Sequence, residues 1–218
     1  MPMIDWADID TVLLDMDGTL LDLHFDSHFW REHLPVRYAS KLGVSVEQGK
    51  AALYPMLEAL EGTMQWYCLD HWSERLDLDV AVLKQEIRHL IAVHPHVVPF
   101  LEGVRAAGKH LVLVTNAHRR SLELKLQCTG IDMHLDAIVC SHDFALPKEQ
   151  PPFWAALRTH LPFDPARTLL VDDSLPVLRS AARYGLAHLI AVTRPDSRQP
   201  ARVVTEFPAI RSFAEIMP

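Results

Sequence analysis

The 218-residue sequence has little cysteine, no basic excess, no long apolar run and no repeat. Its three cysteines, Cys68, Cys128 and Cys140, are odd in number and form no C-x-x-C pair. That excludes a disulfide framework and leads us to expect reduced thiols in a cytoplasmic protein. Net charge is −7, from 21 basic and 28 acidic residues. An acidic chain repels phosphate backbones, so nucleic-acid polymers are excluded as partners. A small phosphorylated substrate stays possible, because a bound cation reverses the local field. No apolar stretch approaches the ~20 residues that span a bilayer, so no membrane association is expected. The opening MPMIDWADID lacks the basic and apolar regions of a signal peptide. Thirteen histidines are scattered, none in H-E-x-x-H, and no zinc site is expected.

What is present is a generous apolar share, 49%, enough for a large core without structural metal or disulfides. Five short branched runs predict buried parallel strands: TVLL at 11–14, LVLV at 111–114, AIV at 137–139, TLLV at 168–171 and HLIAV at 188–192. Helical patterns at 98–107, 121–128, 153–160 and 174–184 separate them, three ending at Gly108, Gly130 and Gly185. This alternation means a doubly wound α/β sheet. Residues 22–95 read as helical throughout. Ser45 with Gln48 resembles a capping box, and Asp79 stands ready to cap a helix from Val80. The stretch is too long for a loop and should form a small helical cap. The expected division is a catalytic core of 1–21 and 96–218, and a cap of 22–95. The polar tail from Arg194 (RPDSRQP) is expected to wrap the surface.

Chemistry concentrates at strand ends. Val12–Leu14 delivers Asp15 and Asp17, Gly18 permits a sharp turn, and Thr19 adds a hydroxyl. Adjacent carboxylates stay ionised cheaply only with a cation or several donors between them, and magnesium prefers such oxygen ligands. Three more strand ends bear Thr115–Asn116, then Lys148 in FALPKEQPP, then Asp172–Asp173. Singly, these features are commonly helix caps or surface groups.

In this order, DMDGT, LVLVTNA, PKE and TLLVDDS resemble the haloacid dehalogenase (HAD) superfamily phosphatases. The resemblance implies a HAD-like Rossmannoid core with an inserted helical C1-type cap. It implies Asp15 as nucleophile forming an aspartyl-phosphate, and Asp17 as acid/base. Thr19, Thr115, Asn116 and Lys148 become substrate-binding candidates. Asp15, Asp17 and Asp172 become Mg²⁺ ligands, with Asp173 acting behind them or through water. The lysine motif departs from G-x-x-K-P: Ala145 replaces Gly and Glu149 replaces Pro. Asp17 favours phosphate chemistry, because the dehalogenases of the superfamily carry no acid there.

Outside these motifs, WYCLDHWSE, VPFLE, TNAH, HLD and VTRPDS extend the likeness nearly end to end. It is nearest to the bacterial 5′-nucleotidases of the superfamily that act on GMP and IMP. That resemblance implies hydrolysis of purine nucleoside 5′-monophosphates. Alternatives are phosphoglycolate or sugar-phosphate hydrolysis, a phosphosugar mutase, and a catalytically silent binding module.

Overall fold

The structure is a computed structural model and describes residues 4–218. The first three residues of the expected core, and of the opening MPMIDWADID, lie outside the described residues.

Six strands form one sheet in the order β3-β2-β1-β4-β5-β6, every neighbouring pair parallel. They are β1 (Thr11–Leu14), β2 (His110–Thr115), β3 (Ala137–Cys140), β4 (Thr168–Asp172), β5 (His188–Val192) and β6 (Ala209–Ile210). The apolar runs predicted the first five to within a residue at each end. β6 is a correction. The segment after Arg194 does not simply wrap the surface, since it buries Asp196 and then supplies an edge strand whose Ile210 joins the core. Two residues are too few to show a period in sequence.

Helices cover both faces, as the branched strands demand. α7 (Val97–Ala106) and α8 (Arg119–Thr129) lie on one side, where Phe100, Leu101, Val104 and Leu122 meet Val12, Leu14 and Leu113. α9 (Pro151–His160) and α10 (Leu175–Tyr184) lie on the other, where Phe153, Trp154 and Leu178 meet Leu13, Val112 and Leu170. Leu13 and Leu14 thus face opposite layers, as the two-residue period of a strand requires. Gly130 and Gly185 end α8 and α10 in the left-handed conformation.

Between β1 and α7 runs a helical segment of α1 (His24–His28), α2 (Leu34–Leu42), α3 (Val46–Glu58), α4 (Met64–Tyr67), α5 (Leu69–Leu76) and α6 (Val80–Glu86). One π-helical turn, Phe29–His33, joins α1 to α2. Both caps form as written in the sequence: Ser45 and Gln48 make the capping box of α3, and Asp79 accepts the Val82 N–H. α6 ends at Glu86 before a 3₁₀ turn, Arg88–Leu90.

This segment has its own apolar centre of Phe25, Phe29, Leu53, Trp72 and Leu83, which Leu124 of α8 joins from the sheet layer. Trp72 is fully buried and donates to the Trp66 carbonyl at 2.9 Å. Truncating such a side chain costs about 3–5 kcal/mol. Among the described residues, no helix is long and apolar enough to cross a membrane.

Candidate active site

The turn after β1 sets the geometry. Gly18 has φ +89°, and a Cβ there would stand 2.8 Å from Pro195 Cβ and 2.9 Å from Asp173 Cγ. Glycine is required on both counts. The close approach brings the β1 turn, the β4 end and the Pro195 loop together. Asp22 fastens that loop by accepting the Ser197 N–H at 3.0 Å.

Parallel strands end on one side of a sheet, so β1, β2 and β4 deliver their polar residues to one place. Lys148 joins them from the loop after β3. Its Nζ donates to Asp15 Oδ1 at 2.5 Å, Asp172 Oδ2 at 2.8 Å and the Val114 carbonyl at 2.9 Å. All three side chains are buried. Burial pushes the Asp15 carboxyl up to about 6, against the pull of Lys148 and with the push of Asp172. Burial would lower Lys148, but Asp15 and Asp172 hold it above the ordinary lysine range.

The departures in the lysine motif have structural readings. Ala145 adopts φ +53°, the left-handed conformation for which glycine is suited. Glu149 accepts a short hydrogen bond from the Tyr67 hydroxyl and another from Asn116 Nδ2 at 3.0 Å. Asn116 Oδ1 in turn accepts the Lys148 N–H at 3.0 Å. Both ends of the Asn116 amide are therefore engaged in holding the Lys148 loop. Asn116 also lines the cavity, and its second Nδ2 hydrogen is not taken up by these contacts. Thr115 is buried beside the site, with Oγ1 accepting the Ala117 N–H at 3.0 Å.

Asp17 is handled differently from Asp15. Its Oδ1 accepts from Lys125 Nζ of α8 at 2.6 Å. Lys125 also donates to Asp26 Oδ2 at 2.7 Å, and Lys84 of α6 donates to Asp26 Oδ1 at 2.5 Å. Burial raises the Asp17 carboxyl to about 6, opposed by Lys125 and aided by Asp26 and Asp15. Burial would raise half-buried Asp26, yet Lys125 and Lys84 together hold it below the carboxylate range. This Lys84–Asp26–Lys125–Asp17 chain escaped the sequence reading. Its members lie in the turn after β1 and on α1, α6 and α8, and share no motif.

Asp15, Asp172 and Asp173 bring carboxylate oxygens within 4.8 Å of one another. Asp17 is not in that group, and its carboxylate is engaged by Lys125. Asp173, expected behind the ligands, stands beside Asp15 and Asp172. Burial drives its carboxyl well up, and Asp15 and Asp172 add to the rise. Three crowded carboxylates with Lys148 as their close buried partner suit a divalent cation with oxygen ligands. Asp15, Asp172 and Asp173 are the side chains that would hold it.

Thr19, expected to bind substrate, lines a different hollow. It is buried, its hydroxyl has no hydrogen-bond partner, and it faces a smaller hollow beside His94, Ile210 and Phe213. The tight turn at Gly18 carries it away from the carboxylates.

Above the strand ends lies a cavity of about 740 Å³. Asp15, Asp17, Thr115, Lys148 and Asp172 line its floor, and Trp30, Tyr54, Leu57, Trp66, Tyr67 and Leu69 of the helical segment line the far side. Its size and its mixture of aromatic wall and charged floor are those of a small-molecule site.

The family description for haloacid dehalogenase-like hydrolases matches residues 9–185. The chain belongs to the haloacid dehalogenase-like hydrolase family. It is 39% identical over 215 residues to the GMP/IMP nucleotidase YrfG of Escherichia coli K12, covering 99% of this chain and 97% of that one. The pyrophosphatase PpaX of Bacillus velezensis is 25% identical over 175 residues, covering 76% and 75%. Among solved structures, a HAD phosphatase from Thermococcus onnurineus superposes with a TM-score of 0.79 at 23% identity, covering 95% and 96%. A dehalogenase superposes at 0.64 with 20% identity, covering 95% of each chain. Phosphatase and dehalogenase share this fold, so the chemistry has to be argued from the site.

Proposed function

We propose that this chain is a Mg²⁺-dependent phosphomonoester hydrolase acting on purine nucleoside 5′-monophosphates, with Asp15 as nucleophile and Asp17 as acid/base. One observation carries the reading: two carboxylates leave the same strand end, each held by its own buried lysine. Lys148 holds Asp15 at 2.5 Å, and Lys125 holds Asp17 at 2.6 Å.

The roles follow from these partners. Ionised Asp15 attacks phosphorus, and the phosphoester bond to the alcohol breaks. Protonated Asp17 gives its proton to the departing oxygen, releasing the nucleoside. An aspartyl-phosphate remains on Asp15. Asp17, now a carboxylate, takes a proton from water as that water attacks phosphorus. Asp15 and inorganic phosphate are regenerated. A carboxyl raised to about 6 is suited to both halves, since it exchanges its proton near neutral pH. Lys148 and Thr115 face the phosphoryl oxygens, and Asn116 and Glu149 fix the lysine loop. A bound Mg²⁺ supplies charge neutralisation for the phosphoryl group.

The helical segment is proposed as a cap, spanning residues 22–95 over a core of residues 1–21 and 96–218. Its aromatic wall faces the carboxylates across the cavity, where a planar base can stack on Trp30, Trp66 or Tyr67. The purine choice draws on the full-length relative at 39% identity. The protein is proposed to act in the cytoplasm on a small phosphorylated metabolite.

Phosphate release should be measured on a metabolite panel with and without Mg²⁺. The expected result is Mg²⁺-dependent turnover highest on GMP and IMP. Preference for phosphoglycolate or sugar phosphates would overturn the purine assignment. Absence of turnover on every phosphate monoester would overturn the enzyme assignment.

A further inference from the structure

Three half-buried residues from different parts of the chain meet at the seam between the helical segment and the sheet layer. Cys68 caps the start of α5 in the helical segment. His118 caps the start of α8, after β2. His142 lies in the 3₁₀ turn Ser141–Asp143, after β3. One donor atom from each lies within 4.8 Å of the other two. The two imidazoles are perpendicular, with centroids 5.1 Å apart.

The hydrogen bonding leaves donors free for a ligand. His142 Nε2 is shut off from solvent and has no hydrogen-bond partner. Such an orphaned ring nitrogen is costly unless something else binds it. His118 Nδ1 accepts the Arg120 N–H at 3.4 Å, which leaves Nε2 as the ring nitrogen that can bind an ion. Cys68 Sγ accepts the His71 N–H at 3.4 Å. The Asp70 carboxylate stands 3.3 Å from His118 Nε2, a fourth donor that can swing in.

We propose that Cys68, His118 and His142 form a second metal site, selective for a zinc-class ion, that latches the helical segment to the sheet layer. One thiolate and two imidazoles suit Zn²⁺ and not Mg²⁺, which takes oxygen ligands. On tetrahedral zinc, donors stand roughly 3.3–3.7 Å apart, so these side chains need move by only about 1 Å. Among the described residues this group is separate from the Asp15–Asp172–Asp173 group.

The position gives the site a consequence. His118 lines the catalytic cavity. Cys68 follows Tyr67, whose hydroxyl bonds Glu149 next to Lys148. An ion here ties α5 to two loops of the core beside the catalytic floor. Product release requires a lid to open, so the bound ion holds the lid closed and lowers turnover. This consequence rests on the cap reading above. The metal site itself does not.

The histidines escaped a search for sequence spacing because a site drawn from three segments has none. His24 and His28 do show H-x-x-x-H spacing on α1, with centroids 5.9 Å apart, but no third ligand joins them among the described residues.

The test uses full-length protein freed of metal and then saturated with Mg²⁺. Co²⁺ is titrated in as an optical stand-in for Zn²⁺. The expected result is one equivalent bound with a thiolate-to-cobalt charge-transfer band, which Zn²⁺ abolishes. The aspartate site has no sulfur and cannot produce this band. Cys68→Ser and His142→Asn should lose the band, and Cys128→Ser should keep it. The Cys68→Ser variant decides the matter if His142→Asn fails to fold, because serine preserves a helix cap. No band at millimolar Co²⁺, or a band kept in Cys68→Ser and lost in Cys128→Ser, would overturn the site. Zn²⁺ should lower kcat at saturating Mg²⁺ in the parent and not in Cys68→Ser. A band without that inhibition keeps the site and rejects the latch. Inactivity towards every phosphate ester would reject the catalytic reading and leave the band test intact.

Discussion

Lys125 Nζ stands 2.6 Å from Asp17 Oδ1, although 108 residues separate them in sequence. The lysine is fully buried, so its charge is answered within the protein, by Asp17 and by Asp26 at 2.7 Å. This pair distinguishes Asp17 from Asp15, two residues away. One carboxylate faces Lys148 and the other faces a lysine on α8. We read Lys125 as a positioning residue that sets the acidity of Asp17.

Lys125→Met should therefore slow turnover by on the order of 10²-fold, the lower end of what a positioned acid contributes. Without its cation, Asp17 should also titrate at higher pH, displacing the basic limb of the kcat profile upward. Breaking a buried ion pair costs about 3–5 kcal/mol, so a lower melting point is expected as well. The pH profile separates the roles. An unchanged profile in a folded variant would show that Lys125 only supports the fold.

Asp15→Asn keeps the shape of the nucleophile and removes its charge. Turnover should fall by on the order of 10⁴-fold or more, as when a covalent nucleophile is lost. The fold should survive, because an amide can still accept from Lys148. Far-ultraviolet circular dichroism and phosphate release check the two halves. Residual activity within tenfold of the parent would exclude covalent catalysis by Asp15.

The metal-free protein should be more stable at mildly acid pH than at neutrality. Asp15 and Asp17 are both raised from 3.8 to about 6 in the folded state. Folded protein then binds more protons than unfolded protein between about pH 4 and 6. Their stabilising contribution is complete below the unfolded pKa and lost as pH rises through 6. Asp26 has the opposite sign: its contribution is present above the ordinary carboxylate pKa and fails only below it. Melts in a chelating buffer should give a higher midpoint near pH 5 than near pH 7.5. Added Mg²⁺ should raise the midpoint more at pH 7.5, where the carboxylates are ionised. A midpoint that climbs with pH in chelator would contradict the crowding of these acids.

Ala145→Gly should stabilise the protein. The left-handed conformation costs an L residue about 1–2 kcal/mol, and glycine returns ~0.5–1 kcal/mol of that through its freer unfolded chain. The net gain is about 0.5–1 kcal/mol, or ~2–4 °C for a full kcal/mol in a chain of this size. Ala145 is exposed, so no packing is lost. A melting point that falls would mean that the φ of +53° is not a source of strain.

The sheet was legible because buried parallel strands are continuous apolar runs, and TVLL, LVLV and TLLV carry that signal unaided. The caps at Ser45 and Asp79 were equally plain, since capping needs only neighbours in sequence. Asp15, Thr115 and Asp172 were legible because each stands at or just past the carboxyl end of a strand, with Lys148 in the loop after β3, and parallel strands all end on one side. What the sequence by itself determined is therefore the local element and the end of it on which each polar residue falls. Only the tertiary structure decided the partners. It turned Asp17 to Lys125, tied Asn116 to the lysine loop, placed Thr19 at a second hollow and brought Asp173 beside Asp15 and Asp172. It also brought Cys68, His118 and His142 together from three segments. Local structure depends on residues a few positions apart, but a side chain's charge and its hydrogen bonds are settled by whatever packs against it.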